Sequence, residues 1–168
     1  IHIAAGAIQM GAGDAFIASG VESMSRIPMG GFNPMPNPAL YKKYPQAYIG
    51  MGETAENLAK QFSISREDQE EFAVASHHKA AKAAQSGHFD DEIVAIGDVK
   101  ADGTIRPDSS TEKLATLNPA FLKDGTVTAA TSSPLTDGSA AVIVASEAYA
   151  DKHKLKKLAR IKSVAVAG

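Results

Sequence analysis

The stretch Gly125-Thr-Val-Thr-Ala-Ala-Thr-Ser-Ser-Pro-Leu-Thr-Asp-Gly-Ser-Ala-Ala141 carries small side chains, hydroxyls and turn residues where most domains carry bulky core residues. Little side-chain bulk shields this backbone, so the stretch predicts a close approach of the main chain to a ligand. Val127 to Ala129 is predicted to be a strand that enters it. Ala140 to Ala145 is predicted to be a buried strand, or a helix-to-strand run, that leaves it. The stretch therefore indicates a connection within an α/β fold.

The chain's length, composition and net charge exclude several classes of function. The chain has 168 residues, 44% of them hydrophobic, which is enough for a domain with its own core. Its net charge of -2 argues against nucleic acid as the main partner, and no apolar run is long enough to span a membrane. Because the chain contains no cysteine, it offers no disulfide, no thiolate metal site and no cysteine nucleophile.

The first 50 residues begin with a regular helix-and-strand pattern, which breaks off after residue 27. Residues 1–10 predict a buried helix that ends at Gly11 and Gly13. Asp14 to Val21 then predicts a short buried strand. The stretch from Pro28 to Gly50 carries five prolines and no regular hydrophobic period, which predicts a functional loop.

Helices dominate the middle of the chain. Ser65 is a predicted N-cap because acidic residues follow it in the first turn, and Gly87 is the predicted stop of the same helix. The remaining predictions are a helix over Glu53–Gln61, a strand over Ile93–Val99, a helix over Glu147–Leu158 and a final strand over Ala159–Ala167. The abrupt start and end of this pattern predict an internal piece of a longer chain.

Four blocks, in order along the chain, carry a resemblance to a known family. They are Gly20–Ser25 (Gly-Val-Glu-Ser-Met-Ser), Met51–Asn57 (Met-Gly-Glu-Thr-Ala-Glu-Asn), Gln69–Ser76 (Gln-Glu-Glu-Phe-Ala-Val-Ala-Ser) and Gly125–Gly138. They resemble the motifs of the thiolases, which make or cleave 3-ketoacyl-CoA. The resemblance implies an α/β fold, part of the layered α/β/α/β/α thiolase sandwich with an inserted loop domain.

The resemblance also implies a division of the chain. Residues 1–28 correspond to the end of the N-terminal thiolase half, and 29–125 to the inserted loop domain that binds CoA. Residues 126–150 correspond to the return to the N-terminal half, and 151–168 to the start of the C-terminal half. The family's nucleophilic cysteine, its histidine base and its second cysteine fall outside these segments. The expectation is that this chain has no catalytic residue of its own and is inactive alone.

What remains resembles the part of a thiolase that binds CoA and acyl-CoA. Ser133 matches a family serine that contacts the pantetheine arm, and Ala129 lies beside that arm. Arg106 matches a contact on the phosphate or adenine side. The other matching positions are Phe121 on the adenine side, Met51 at the pantetheine and acyl end, and His77 on a helix as a polar contact.

Each position also has a plainer interpretation. Ser133 is also compatible with a turn hydroxyl, although the motif favours the ligand role, and Arg106 with an exposed loop arginine. Phe121 is more often a core residue than an adenine contact. His77 and His78 do not form a metal site, because adjacent helix residues point in different directions. No metal and no cofactor other than CoA as substrate are expected.

Three departures from the family motifs indicate whether the parent protein resembles the degradative or the biosynthetic members. Ala130-Thr131 replaces the Gly-Asn of many members, Pro134 follows Ser133, and Gly50 stands where biosynthetic members often have histidine. The pattern is more similar to the degradative branch of fatty acid metabolism, that is, β-oxidation. The expected parent is a cytoplasmic or, in a eukaryote, mitochondrial acyltransferase that forms a homodimer or homotetramer. The alternative is a non-catalytic thiolase-like CoA-binding or scaffold module.

Overall fold

The computed structural model of the chain describes residues 1–166 and divides into two units. Unit 1 consists of Ile1–Phe32 together with the chain from Leu135 onward, and unit 2 is Asn33–Pro134. The elements of unit 1 are α1 (His2–Gln9), β1 (Ala15–Glu22), β2 (Gly138–Ala145) and α6 (Glu147–Lys152). Those of unit 2 are α2 (Pro38–Lys43), α3 (Met51–Phe62), α4 (Arg66–Gln85), α5 (Thr111–Ala115) and 3-10 helices at Pro45–Tyr48 and Ala129–Thr131.

In unit 1, a glycine turn leads from α1 into the strand pair. Gly11 adopts φ 73°, and its N–H bonds the carbonyl of Ile8 while the N–H of Ala12 bonds that of Ala7. This is the Schellman arrangement that ends a helix at a left-handed residue, and it confirms the predicted helix stop. β1 and β2 then pair antiparallel along their whole length, from Ala15 opposite Ala145 to Glu22 opposite Gly138.

The two strands are present as predicted, but they are not buried in this chain. Ile17 is 75% exposed on β1 and Ile143 is 64% exposed on β2. α1 packs against both strands, yet most positions along each strand remain open to solvent. An apolar strand buries its side chains only where another layer covers it, and the sequence pattern cannot supply that layer.

Unit 2 contains the two predicted long helices. α4 begins at the predicted cap, because the Ser65 Oγ accepts the N–H of Asp68 and the Asp68 carboxylate accepts the N–H of Ser65. It ends at Gln85, and Gly87, the predicted stop, takes φ 74° just after the C-cap. α3 begins two residues before the predicted start, at Met51, and ends at Phe62, after which Ser63 takes a left-handed conformation.

Arg66 ties α4 to the short helix α5. Its Nε donates to Glu70 at 2.6 Å, and its Nη2 donates to the carbonyls of Leu114 at 3.1 Å and Leu117 at 2.6 Å. These carbonyls lie at the end of α5, where a helix leaves its last acceptors without internal partners. Glu70 is only 4% exposed, so its charge is compensated by an adjacent cation inside the unit.

Three predicted strands are absent from the described residues. Ile96 and Val99 bond only each other across a turn at Gly97, so 93–99 has no partner strand. Thr128 forms a single bridge with Pro119, and because proline has no N–H the ladder does not extend. Residues 159–166 have neither helix nor strand, and Ala167 lies outside the described residues.

Two helix predictions also need correction. The predicted loop between Pro28 and Gly50 contains α2, which is capped by the Asn37 side chain, and the 3-10 helix that follows it. α6 stops at Lys152 instead of Leu158. Lys154 takes φ 54°, and its N–H bonds the carbonyl of Asp151, so a left-handed lysine ends the helix where glycine usually stands.

The unit boundaries fall at 32/33 and 134/135. The assignment of 1–28, 29–125, 126–150 and 151–168 to halves of a thiolase stays a prediction. Among the described helices, none combines the length and apolarity needed to cross a membrane.

Candidate functional site

The buried carboxylate of Glu56 holds the backbone of the small-residue stretch. Glu56 lies on α3 and is 7% exposed. Its Oε1 accepts the N–H of Thr126 at 2.9 Å and that of Val127 at 2.8 Å. Its Oε2 accepts the N–H of Thr126 at 3.0 Å and the hydroxyl at 3.1 Å. One side chain thus orients two consecutive peptide groups at the start of the candidate site.

These hydrogen bonds also determine the ionisation of Glu56. Burial by itself raises the pKa of the carboxyl, but the backbone N–H groups of Thr126 and Val127 and the Thr126 hydroxyl together lower it below the ordinary glutamate value. The group is therefore an anion at neutral pH. A charged acceptor makes stronger hydrogen bonds than a neutral one, so Glu56 binds this segment tightly.

Gly125 is required by the same carboxylate. A Cβ on Gly125 would collide with Glu56 Oε1 and would lie 3.1 Å from the Cβ of Leu122. Gln69 on α4 supplies a second attachment, because its Nε2 donates to the Thr126 hydroxyl at 3.0 Å. The segment is therefore held from α3 and from α4.

Thr128 anchors the turn that follows. It is fully buried, and its carbonyl accepts the Thr131 N–H at 3.2 Å and the Ser132 hydroxyl at 2.8 Å. The Thr128 hydroxyl has no hydrogen-bond partner among the described residues. Ala129 and Ser133 lie on either side of this compact turn and are exposed. The turn therefore presents a small side chain and a hydroxyl to solvent on a rigid support.

Phe121 packs on Gly52 at the start of α3, next in sequence to Met51. The Phe121 ring occupies the space that a Cβ on Gly52 would take, so it packs directly on the residue after Met51. The Ala120 N–H bonds the carbonyl of Val127 at 2.9 Å, which ties this ring to the small-residue stretch. Met51 is 75% exposed and Phe121 is 47% exposed. Phe121 is thus neither a core residue nor isolated on the surface.

His77 and Arg106 also come together. The N–H of Arg106 donates to His77 Nδ1 at 3.1 Å, and the arginine side chain is exposed. His77 lies eight residues after Gln69 on α4, about 12 Å along the helix axis. α4 therefore carries both the support of the small-residue stretch and the support of Arg106.

The sequence predictions missed Glu56 as a structural residue. Its neighbours on the buried stripe of α3 include Ala59, and a glutamate on such a stripe needs a partner. A downstream segment with free N–H groups, such as 125–127, is the natural partner. Gly52 and Gly125 belong to the quoted motifs, but the motifs do not show why glycine is needed there. The Phe121 ring lies against Gly52, and the Glu56 carboxylate lies against Gly125.

No group of three or more His, Asp or Glu side chains in residues 1–166 is arranged to hold a metal ion. His77 accepts the N–H of Arg106, and His78 bonds the carbonyl oxygen of Ser109 in the same turn. One ring nitrogen of each histidine is therefore engaged with backbone.

Comparison with known proteins gives consistent matches. A family model, the thiolase N-terminal domain, matches residues 1–148. A 3-ketoacyl-CoA thiolase of Bacillus subtilis is 45% identical over 185 residues, which cover 100% of this chain and 47% of that protein. The chain thus spans about half the length of the curated relatives it matches.

Solved structures agree with the sequence matches. The dimeric peroxisomal thiolase of Saccharomyces cerevisiae matches with a TM-score of 0.77 and 39% identity over 90% of this chain and 41% of that chain. Human mitochondrial 3-ketoacyl-CoA thiolase in complex with CoA matches with a TM-score of 0.69 and 32% identity over 89% of this chain and 42% of that chain. These matches confirm the predicted α/β thiolase fold, and the chain belongs to the thiolase family through its N-terminal domain.

Proposed function

We propose that this chain is the CoA-binding part of a thiolase-type acyl-CoA C-acyltransferase that cleaves or forms 3-ketoacyl-CoA. The observation that carries the proposal is the turn from Thr128 to Ser133. The buried Glu56 carboxylate holds the two residues before this turn, and the carbonyl of buried Thr128 holds the turn itself, while its exposed side chains are small or carry a hydroxyl. Such a surface can lie against the pantetheine arm without steric cost.

The proposed contacts follow the chemistry of CoA. The Ser133 hydroxyl bonds a pantetheine amide, and Ala129 leaves room for the arm beside it. The guanidinium of Arg106 pairs with a phosphate, which prefers an exposed, multidentate cation. Phe121 offers its half-exposed ring to the adenine, and Met51 lies toward the acyl end.

The chemical step belongs to residues outside this sequence. A thiolase forms an acyl-enzyme on a cysteine thiolate, and these 168 residues contain no cysteine. Under the proposal, the chain binds and orients acyl-CoA, while the nucleophile and its base come from other parts of the whole protein. The chain alone is then expected to bind CoA without turnover.

For the whole protein we propose a degradative, β-oxidation-type enzyme, assembled as a homodimer or homotetramer, in the cytoplasm or in a eukaryotic mitochondrion. Gly50 supports the degradative assignment, since it leaves space where an imidazole would stand. The matched yeast thiolase is dimeric, which supports self-association.

Calorimetric titration of the chain with CoA tests the binding site. Arg106→Ala removes a charge-assisted hydrogen bond and is expected to weaken binding about tenfold. Ser133→Trp fills the pantetheine surface and is expected to weaken it at least as much. Arg26→Ala, which removes an exposed arginine from unit 1, is the matched control. Unchanged affinity in both site variants would overturn the site assignment.

Both the enzyme and the alternative, a non-catalytic thiolase-like scaffold, bind CoA. Thiolysis of a 3-ketoacyl-CoA by the full-length protein separates them, measured as the loss of the substrate's magnesium-enolate absorbance. Turnover supports the acyltransferase, and CoA binding without turnover supports the scaffold.

A further inference from the structure

Two adjacent histidines of α4 bind the two ends of one short turn. The Arg106 N–H donates to His77 Nδ1 at 3.1 Å, and His78 Nε2 lies 3.0 Å from the carbonyl oxygen of Ser109. Neighbouring helix positions point about 100° apart, so the turn spans part of the helix circumference. The pair therefore joins residues 106–109 to α4 at two separate points.

The partners determine which ring nitrogens carry protons. A peptide N–H can only donate, so the His77 Nδ1 that receives it is unprotonated and the His77 ring is neutral, with its proton on Nε2. A carbonyl can only accept, so His78 Nε2 carries a proton. The two histidines thus have opposite roles, one as an acceptor and one as a donor.

The turn between them is closed by its own bonds. The Ser109 N–H donates to the Arg106 carbonyl at 3.2 Å, and the Ser109 hydroxyl donates to the same oxygen at 2.8 Å. Both backbone polar groups of Arg106 are therefore engaged, while its side chain is exposed. A fixed backbone beneath a free guanidinium restricts where that guanidinium can reach.

We propose that His77 is a positioning residue that directs Arg106 toward a CoA phosphate by accepting its N–H, instead of touching CoA itself. The inference rests on the proposed function, because it assigns Arg106 the phosphate contact. Protonation of His77 would replace its acceptor with a second donor and would release the Arg106 backbone. His77 must therefore remain neutral for the site to be organised.

The charged groups near His77 affect whether it remains neutral. The 106–109 turn, which bonds His77, contributes Arg106 and Asp108, and α4 contributes the adjacent His78. Asp108 is paired with Lys113 at 2.8 Å, so that anion is already compensated. A cation at His77 would stand beside the Arg106 backbone.

Amide hydrogen exchange of Arg106, followed by nitrogen-15 NMR of the chain, tests the bond without CoA. In His77→Leu the Arg106 amide loses its acceptor, and its exchange is expected to accelerate about tenfold or more. His77→Asn places Oδ1 near the position of Nδ1 and is expected to restore protection. His78→Leu is the matched control, in which the Arg106 amide keeps its partner. Unchanged exchange in His77→Leu would overturn the proposal.

CoA affinity of the same proteins tests the positioning role. His77→Asn is expected to bind like the unaltered chain at pH 8, whereas His77→Leu is expected to bind several-fold more weakly. Protonation of His77 at low pH should lower the ratio of the unaltered chain's CoA affinity to that of His77→Asn, because it removes the acceptor of the Arg106 N–H. This ratio cancels the ionisation of CoA itself.

If His77 instead contacts a CoA phosphate directly, this affinity ratio should rise at low pH, because a protonated His77 would add a cation next to the phosphate. A ratio that rises at low pH would therefore overturn the positioning role. If the unaltered chain binds no CoA while His77→Leu still accelerates Arg106 exchange, the proposed function fails and the His77–Arg106 bond is retained.

Discussion

Unit 1 and unit 2 fix their backbone by different interactions. Unit 1 has regular structure, with two fully paired strands, but the apolar side chains on those strands are largely exposed. Unit 2 has long irregular segments, yet the buried carboxylate of Glu56 and the half-buried guanidinium of Arg66 bond the backbone of those segments directly. Regular strand pairing therefore does not by itself bury a core, whereas an irregular segment can be rigid where buried polar groups hold it.

Removing the Glu56 carboxylate should have the largest effect on unit 2. Glu56→Ala leaves the N–H groups of Thr126 and Val127 without their acceptor in a buried setting, which is expected to cost about 3–4 kcal/mol in the free energy of unfolding. Urea unfolding measures this change. Glu71→Ala removes an exposed carboxylate from the neighbouring helix α4 and should change stability very little.

An equal loss in Glu56→Ala and Glu71→Ala would mean that the carboxylate does not hold the small-residue stretch. CoA affinity gives a second readout, since the proposed pantetheine surface begins one residue after Thr128. It should fall in Glu56→Ala and not in Glu71→Ala.

A methyl group at Gly125 tests the same contact from the other side. Gly125→Ala pushes against the Glu56 carboxylate, and overpacking of this kind costs about 2 kcal/mol. Thermal or urea unfolding gives the loss. Gly103→Ala is the matched control, because no atom lies within 4 Å of the Cβ that it adds. A stable Gly125→Ala protein would show that Glu56 has room to move.

The pH dependence of unit 2 should depend on Glu56. Its pKa is lower in the folded state than in the unfolded state, so its contribution is complete above the ordinary glutamate pKa. The contribution is lost as the pH falls from there through the lower, folded value. Glu56→Gln cannot ionise and should lack this part of the acid destabilisation, measured by urea unfolding at pH 7 and below pH 4. Parallel pH profiles would contradict the assignment.

Unit 1 has its own polar link, which should matter least. Asp137 accepts the N–H of Ser25 at 2.8 Å and its hydroxyl at 2.7 Å, but the carboxylate is exposed. Asp137→Asn should accelerate hydrogen exchange of the Ser25 amide and leave that of Val127 unchanged, because exposed hydrogen bonds compete with water. A large loss of global stability would show that unit 1 also depends on polar links.

Local signals in the sequence predicted the two long helices of unit 2, α3 and α4, well. Ser65 and Gly87 bound α4 because caps act through the nearest backbone groups, which the sequence specifies. The strands at 93–99 and 127–129 were predicted wrongly because a strand exists only with a partner. Pro119 and the turn at Gly97 prevent that pairing.

The candidate site was also predicted only in part. Motif resemblance selected Ser133, Ala129, Arg106, Met51, His77 and Phe121, and their roles toward CoA stay predictions. Which of them meet could not be predicted, because Phe121 reaches Gly52 and Arg106 reaches His77 only across long loops. Their supports, above all Glu56, were not predicted at all.

The amino-acid sequence alone determined the family, the long helices and the absence of a thiol nucleophile, since each follows from residue identity and local order. Only the tertiary structure decided that Glu56 binds residues 70 and 71 positions away and that the strands of unit 1 stay exposed. The reason is physical. Capping and turn preferences act over a few residues, whereas burial and the partner of a buried charge depend on segments that meet only after the chain has folded.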